Sequence, residues 1–210
     1  MTERKNDKRR IASKVPMVSD LEGHFSFIED DILRQNIAVS FQYIIFLIAV
    51  IDRERIEEST ISSSIYKNMI MYTATVVESC LHYCLKECIA RGDVKSSGVM
   101  SSEKVLKDVK VIHKINNNQE AIGAIRLNKA EKLKDKTGFI VVNRACEKAG
   151  IIDKQLFKDV DVLRKTRNNI HLMGLRNVDC VYKQEDVQKV FKIAKKIIKV
   201  VNQKLTVPNK

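Results

Sequence analysis

Little in this chain interrupts a helix. Among 210 residues there are two prolines, Pro16 and Pro208, seven glycines and no tryptophan. Residues 17 to 207 therefore contain no proline, the strongest helix breaker. The shortage of turn residues argues against an immunoglobulin-like sandwich. The sequence also lacks a G-x-x-x-x-G-K-S/T phosphate loop, a G-x-G-x-x-G turn, a paired C-x-x-C and an H-E-x-x-H. ATP, dinucleotide and common zinc chemistries thus have no support, and neither a cofactor nor a metal is expected. Five cysteines are an odd number for a disulfide scaffold. No apolar leader opens the chain, so a reducing, cytoplasmic compartment is expected.

What is present suits one helical domain. Apolar residues make up 44% and charged residues 30%, enough apolar material for a core. Residues 1 to 18 hold six basic side chains (Arg4, Lys5, Lys8, Arg9, Arg10, Lys14) against Glu3 and Asp7, which reads as a flexible basic arm. Residues 19 to 207 read as a single domain. The run Ile37 to Ile51 is apolar apart from Ser40, Gln42 and Tyr43. At fifteen residues it falls short of the roughly 20 that a membrane span needs. It is expected to be a buried core helix, with no membrane partner.

The spacing predicts a first long helix over about 19 to 55, broken once at most, with Ser19-Asp20 as its cap. A second is predicted from Thr60 to Arg91, capped by Ser59 or Thr60 and ended by Gly92. Its apolar stripe is Ile65, Met69, Tyr72, Val76, Cys80 and Tyr83. SSGVMSS (96–102) reads as a loop. KVIHKI (110–115), NNNQ (116–119) and EAIGAIRL (120–127) predict a small β-hairpin within about 108 to 130, with a short helix as the rival. Thr137 is predicted to cap a helix that Gly150 ends, and Asp153 a helix that Gly174 ends. That second helix carries Leu156, Val160, Leu163, Arg167 and Ile170 on one stripe. A final helix is predicted over Gln184 to Leu205. Its apolar face runs from Val187 through Val190, Phe191, Ala194, Ile197, Ile198 and Val201 to Leu205, with Lys189, Lys192, Lys195, Lys196 and Lys199 off that face. The fold class is therefore mainly α, a helical bundle with a small hairpin insertion.

Three features invite chemistry. Cys80, Cys84 and Cys88 recur every four residues, but they span roughly 12 Å of helix and cannot share one ion; core packing is the reading for them. Glu78 is the only acid between Ile65 and Leu85. A carboxylate in such an apolar run must be exposed or paired, and a partner arginine on another helix is the functional reading. The densest polar cluster is LRKTRNNIH, residues 163 to 171. On a helix Arg164, Arg167, Asn168 and His171 share one stripe. Arginine clamps phosphate bidentately, histidine moves protons near neutral pH, and asparagine can orient either partner. RNA can be cleaved by such groups without metal, because its own 2′-OH is the nucleophile. The same residues also suit a helix C-terminus, where cations meet the negative end of the dipole. His24, His82 and His113 have no comparable setting in sequence.

This arrangement resembles the HEPN superfamily. There an Arg, four to six residues and then a His sit on the penultimate long helix of an all-α domain, often with Asn after the Arg. ATVVESCLHYCL resembles that family's apolar helix with an embedded Glu, and YKQEDVQKVFKIAKKIIKVVNQKL its closing helix. The likeness covers about residues 37 to 205, with 93 to 136 matched poorly. Six residues separate Arg164 from His171, but Arg164 is followed by Lys165. Arg167 is followed by Asn168, but only three residues separate it from His171. The resemblance implies an RNA-binding homodimer, either a metal-independent endoribonuclease of toxin or defence type or a non-catalytic module. In it His171 would be catalytic, Arg164 or Arg167 would hold phosphate, Asn168 would orient, and Glu78 would form a supporting ion pair. It also implies a regulatory or antitoxin protein as a partner. The net charge of +12 accords with phosphate binding, and a plain dimerisation domain is the remaining alternative.

Overall fold

The computed structural model describes residues 15–54, 56, 59–100, 102–130, 132–168 and 181–206. Helices dominate, with one antiparallel hairpin inserted midway. In chain order they are α1 (Val18–Glu22), α2 (Asp31–Glu54), α3 (Thr60–Ala90), α4 (Ser96–Val99), β1 (Ser102–Asn116), β2 (Gln119–Ala130), α5 (Phe139–Lys148), α6 (Lys154–Asn168) and α7 (Gln184–Thr206).

The first predicted helix is interrupted over eight residues, which begin with the 3-10 turn Gly23–Phe25. The reason lies in the spacing of Phe25, Phe27 and Ile28, all buried. No single helical face turns these three inward together, so the chain leaves the helix to bury them. Asp20 does not cap from outside. It sits inside α1 and accepts from the Met17 amide at 3.2 Å. Helix α2 begins afresh under Asp30, whose carboxylate accepts from the Leu33 amide at 3.0 Å.

Helix α3 is the axis of the bundle. Ser59 and Ser62 cap its start reciprocally, at 3.3 and 2.9 Å. Gly92 ends it at φ +80°, a conformation that glycine adopts without strain. Met69, Val76, Cys80 and Tyr83 of the predicted stripe are buried, while Tyr72 is exposed. Burial extends well beyond that stripe to Ile70, Ala74, Val77, Leu81, Cys84 and Leu85. A helix apolar nearly all round belongs at the centre of a core, and α2, α5, α6 and α7 all pack on α3. Helix α7 covers it most extensively, through Val187, Val190, Ala194, Ile197, Val201 and Leu205. The Arg91 guanidinium closes the joint by donating to the Leu205 carbonyl at 2.9 Å.

Three further expectations need correction. Helix α2 is not buried on all sides: Ile37, Ala38, Ile44 and Leu47 face inward, while Ile32, Val39, Tyr43 and Phe46 are exposed. It is the one helix among the described residues long and apolar enough to cross a membrane by composition, and 22% of its most apolar window is buried. Beside it runs an apolar groove of about 510 Å³ with Phe41, Ile44, Val76 and Ile198 among its walls. The segment read as a loop at 96 holds the short helix α4, because Val99 and Met100 are drawn into the core. Gly138, not Thr137, precedes α5; the Thr137 hydroxyl instead accepts from the Lys134 amide at 2.8 Å and closes the turn before it. Asp153 does cap α6, at 2.7 Å from the Leu156 amide, and Gly150 ends α5 at φ +67°. Gly174 and Ile170 lie outside the described residues.

The hairpin is longer than predicted and stands apart. Its strands pair with each other and scarcely touch the helices. Three bulges interrupt the register, after Lys107, Val111 and Lys114, each placing the extra residue on β1. Asp108, at the first, has φ +51°. Asn116 holds the two-residue turn by accepting from the Asn118 amide at 2.9 Å. Seven large apolar side chains stay exposed on this ribbon: Leu106, Val109, Val111, Ile112, Ile115, Ile122 and Ile125.

Candidate functional site

Helix α6 lies against α3 through Leu156, Val160 and Leu163, which are buried. That packing fixes the direction of the polar residues along its C-terminal half. Asp161 lies one turn before Arg164 and takes it locally, its carboxylate accepting from Arg164 Nε at 2.8 Å. Lys165 Nζ reaches the other oxygen at 3.0 Å. Partial burial would raise the Asp161 carboxyl, but Lys165 and Arg164 outweigh it and hold it below the ordinary carboxylate value. Arg164 is thereby committed to its own helix.

Arg167 behaves differently. From the last turn of α6 it crosses to α3 and forms an ion pair with Glu78, its Nη1 donating to Oε2. The acid that stood alone in an apolar run thus has its partner, and of the two candidate arginines Arg167 is the one that reaches it. Both side chains keep some water, at 35% exposure for Arg167 and 23% for Glu78. A guanidinium carries five N–H donors, so one carboxylate leaves others for a second anion. Asn168 is exposed at the end of α6. His171 lies outside the described residues.

Glu78 also walls a cleft of about 420 Å³ between α3, the start of α2 and the loop before α5. His82 and Lys86 line it, each a turn further along α3 on the same face. Asp30 and Asp135 close it from the other two sides. His82 Nε2 lies 2.9 Å from the Lys134 carbonyl; a carbonyl only accepts, so the ring donates from that nitrogen. Tyr83 accepts from the Glu29 amide at 2.9 Å through its hydroxyl, and burial raises its pKa. Sequence reasoning gave His82 no role. The signal available was its spacing, four residues after Glu78, which puts both on one face.

The four cysteines among the described residues lie in the core. Cys80, Cys84, Cys88 and Cys146 are free and buried. Burial pushes the Cys80 thiol up to about 12 and raises the other three. Protonated thiols at neutral pH are poor metal ligands and poor nucleophiles. Among the described residues no group of three His, Cys, Asp or Glu side chains could hold a metal ion. The chain matches no family model, no curated protein and no solved structure.

Proposed function

We propose that this chain is a HEPN-like RNA-binding protein that cleaves RNA without metal. The observation that carries the reading is the bridge from Arg167 on α6 to Glu78 on α3. It holds a guanidinium, about a third exposed, against Glu78 of the cleft wall, with donors to spare. RNA phosphate binds at Arg167 rather than within the cleft, whose exposed carboxylates Asp30 and Asp135 would repel it. Three residues beyond α6, His171 takes the proton from the 2′-OH. The 2′-oxygen attacks phosphorus, the bond from phosphorus to the 5′-oxygen breaks, that oxygen takes a proton from water, and a 2′,3′-cyclic phosphate end remains. Asn168 orients the phosphate or the imidazole. Arg167 stabilises the charge that builds on the phosphate oxygens. A homodimer and a regulatory or antitoxin protein complete this reading, in a cytoplasmic setting.

The test is purified protein with total RNA in EDTA, beside His171→Ala, Arg167→Ala and Arg164→Ala. A positioned acid–base group is typically worth ~10²–10⁴ in rate. His171→Ala should therefore remove cleavage and leave binding nearly intact, since phosphate affinity rests on Lys and Arg. Arg167→Ala should lower both, and by more than Arg164→Ala. Absence of cleavage by the wild type, or unchanged cleavage by His171→Ala, refutes catalysis.

One observation favours a second reading, a non-catalytic module for RNA or protein. Both arginines already hold a carboxylate, Arg164 with Asp161 and Arg167 with Glu78, which reduces their pull on phosphate. Binding without cleavage in the same assay selects it.

A further inference from the structure

The hairpin's two edges differ. β1 carries Lys104, Lys107, Lys110 and Lys114, and all three bulges place their extra residue on it. Lysines and bulges are the devices that keep an edge strand from pairing with another chain. β2 has neither over Gln119 to Ile125, a stretch with one charge, no proline and no extra residue. The sheet has two strands among the described residues, so the outer backbone groups of β2 are open. A two-stranded ribbon standing alone is marginal in water, and stability generally needs three or more strands. This one exposes seven large apolar side chains and leans on no helix.

We propose that β2 pairs antiparallel with β2 of a second copy of this chain, giving a four-stranded sheet in the order β1, β2, β2, β1. The occupant is a second copy because the strand complements itself. Self-pairing about Gly123 sets the acid at position 120 across from the base at position 126, twice. The protected edge of β1 then lies outermost on both sides, which stops further strand addition and closes the assembly at two. That register pairs residues 119 to 127, which extend about 30 Å, and a sheet is about 10 Å thick, so the joint buries roughly 600 Å² over both copies. That lies at the low end for specific interfaces, below about 1,200 Å². The dimer is therefore weak and reversible.

Sedimentation velocity over a dilution series tests this without RNA, so its outcome is independent of the cleavage assay. The wild type should move from 24.1 kDa toward twice that mass as concentration rises. Ile122→Lys with Ala124→Lys, both at exposed positions, should stay at 24.1 kDa with an unchanged helical circular dichroism signal. A cysteine at Ala124 should be joined between copies by a short bis-maleimide, and one at His113 on the outer strand should not, with treated wild type as background. Should the lysine variant fail to fold, the cysteine pair decides. A wild type that stays monomeric up to its solubility limit overturns the proposal. So does a folded lysine variant that still dimerises, or cross-linking at His113 equal to that at Ala124.

Discussion

Replacing Glu78 and Arg167 singly and together isolates the bridge between α3 and α6. A fully buried pair broken on one side costs about 3–5 kcal/mol, whereas an exposed pair is worth about 0.2–1 kcal/mol. With 23% and 35% exposure, this pair falls between those limits. Removing Glu78 strands a guanidinium that water can still reach, so the cost lies at about 1–2 kcal/mol. For a domain of this size that corresponds to roughly 2–8 °C in Tm. Urea denaturation of wild type, Glu78→Ala, Arg167→Ala and the double variant closes a cycle that removes effects unrelated to the pair. The coupling energy should be about 1 kcal/mol, and the double variant should be scarcely less stable than the worse single one. Strictly additive losses, or a Glu78→Ala protein that melts with the wild type, would show that the two side chains do not support each other.

Arg164→Ala should cost about 1–2 kcal/mol, because Arg164 and its partner Asp161, a turn earlier on the same helix, are no more exposed than the Glu78–Arg167 pair, at 17% and 19%. Asp161 has a lowered pKa in the folded state, so its contribution is present above the ordinary carboxylate range. That contribution is lost as pH falls through the lowered value; Asp161→Asn should flatten the acid limb of a stability–pH curve. The buried thiols give the opposite limb. Cys80 rises from 9.0 to about 12, so its contribution is complete below pH 9.0 and is lost as pH climbs toward 12. Urea midpoints measured below and above pH 9.0 should fall less in Cys80→Ala than in the wild type. Leu81→Ala, at a site with no exposure, should cost about 2–5 kcal/mol in the same denaturation measurement.

Much of the scaffold is legible in the residues themselves. Ser59, Asp153 and Gly92 mark helix ends because capping and left-handed termination are local chemistry. The apolar face of α7 follows from a period that needs no tertiary partner. What escapes the sequence depends on neighbours. Both faces of α2 read as apolar, so which one turns outward is decided only when α3 packs against it. The split of α1 from α2 follows from three consecutive demands for burial at Phe25, Phe27 and Ile28. At the site, Glu78 is legible because a lone acid in an apolar run requires a partner. The choice of Arg167 over Arg164 was also within reach, since Asp161 stands three residues before Arg164 and satisfies it locally. His82 was hidden by the uniform apolarity of α3, which gives no contrast between one face and the next.

The central position of α3 has a consequence for the order of folding. Its main cover, α7, begins at Gln184, almost a hundred residues after α3 ends at Ala90. During synthesis at roughly 5–20 residues per second, α3 waits seconds for that cover. Until then Ile70, Val77, Leu81 and Leu85 lack their main cover, with α2 in place first and α5 and α6 arriving later, and the nascent chain offers apolar surface to other proteins. Closure by α7 is a long-range event with a large loop to close, so it governs the folding rate. A chain lacking α7 would keep its helix-forming sequence yet leave its axis uncovered, and aggregation rather than simple unfolding is its expected fate.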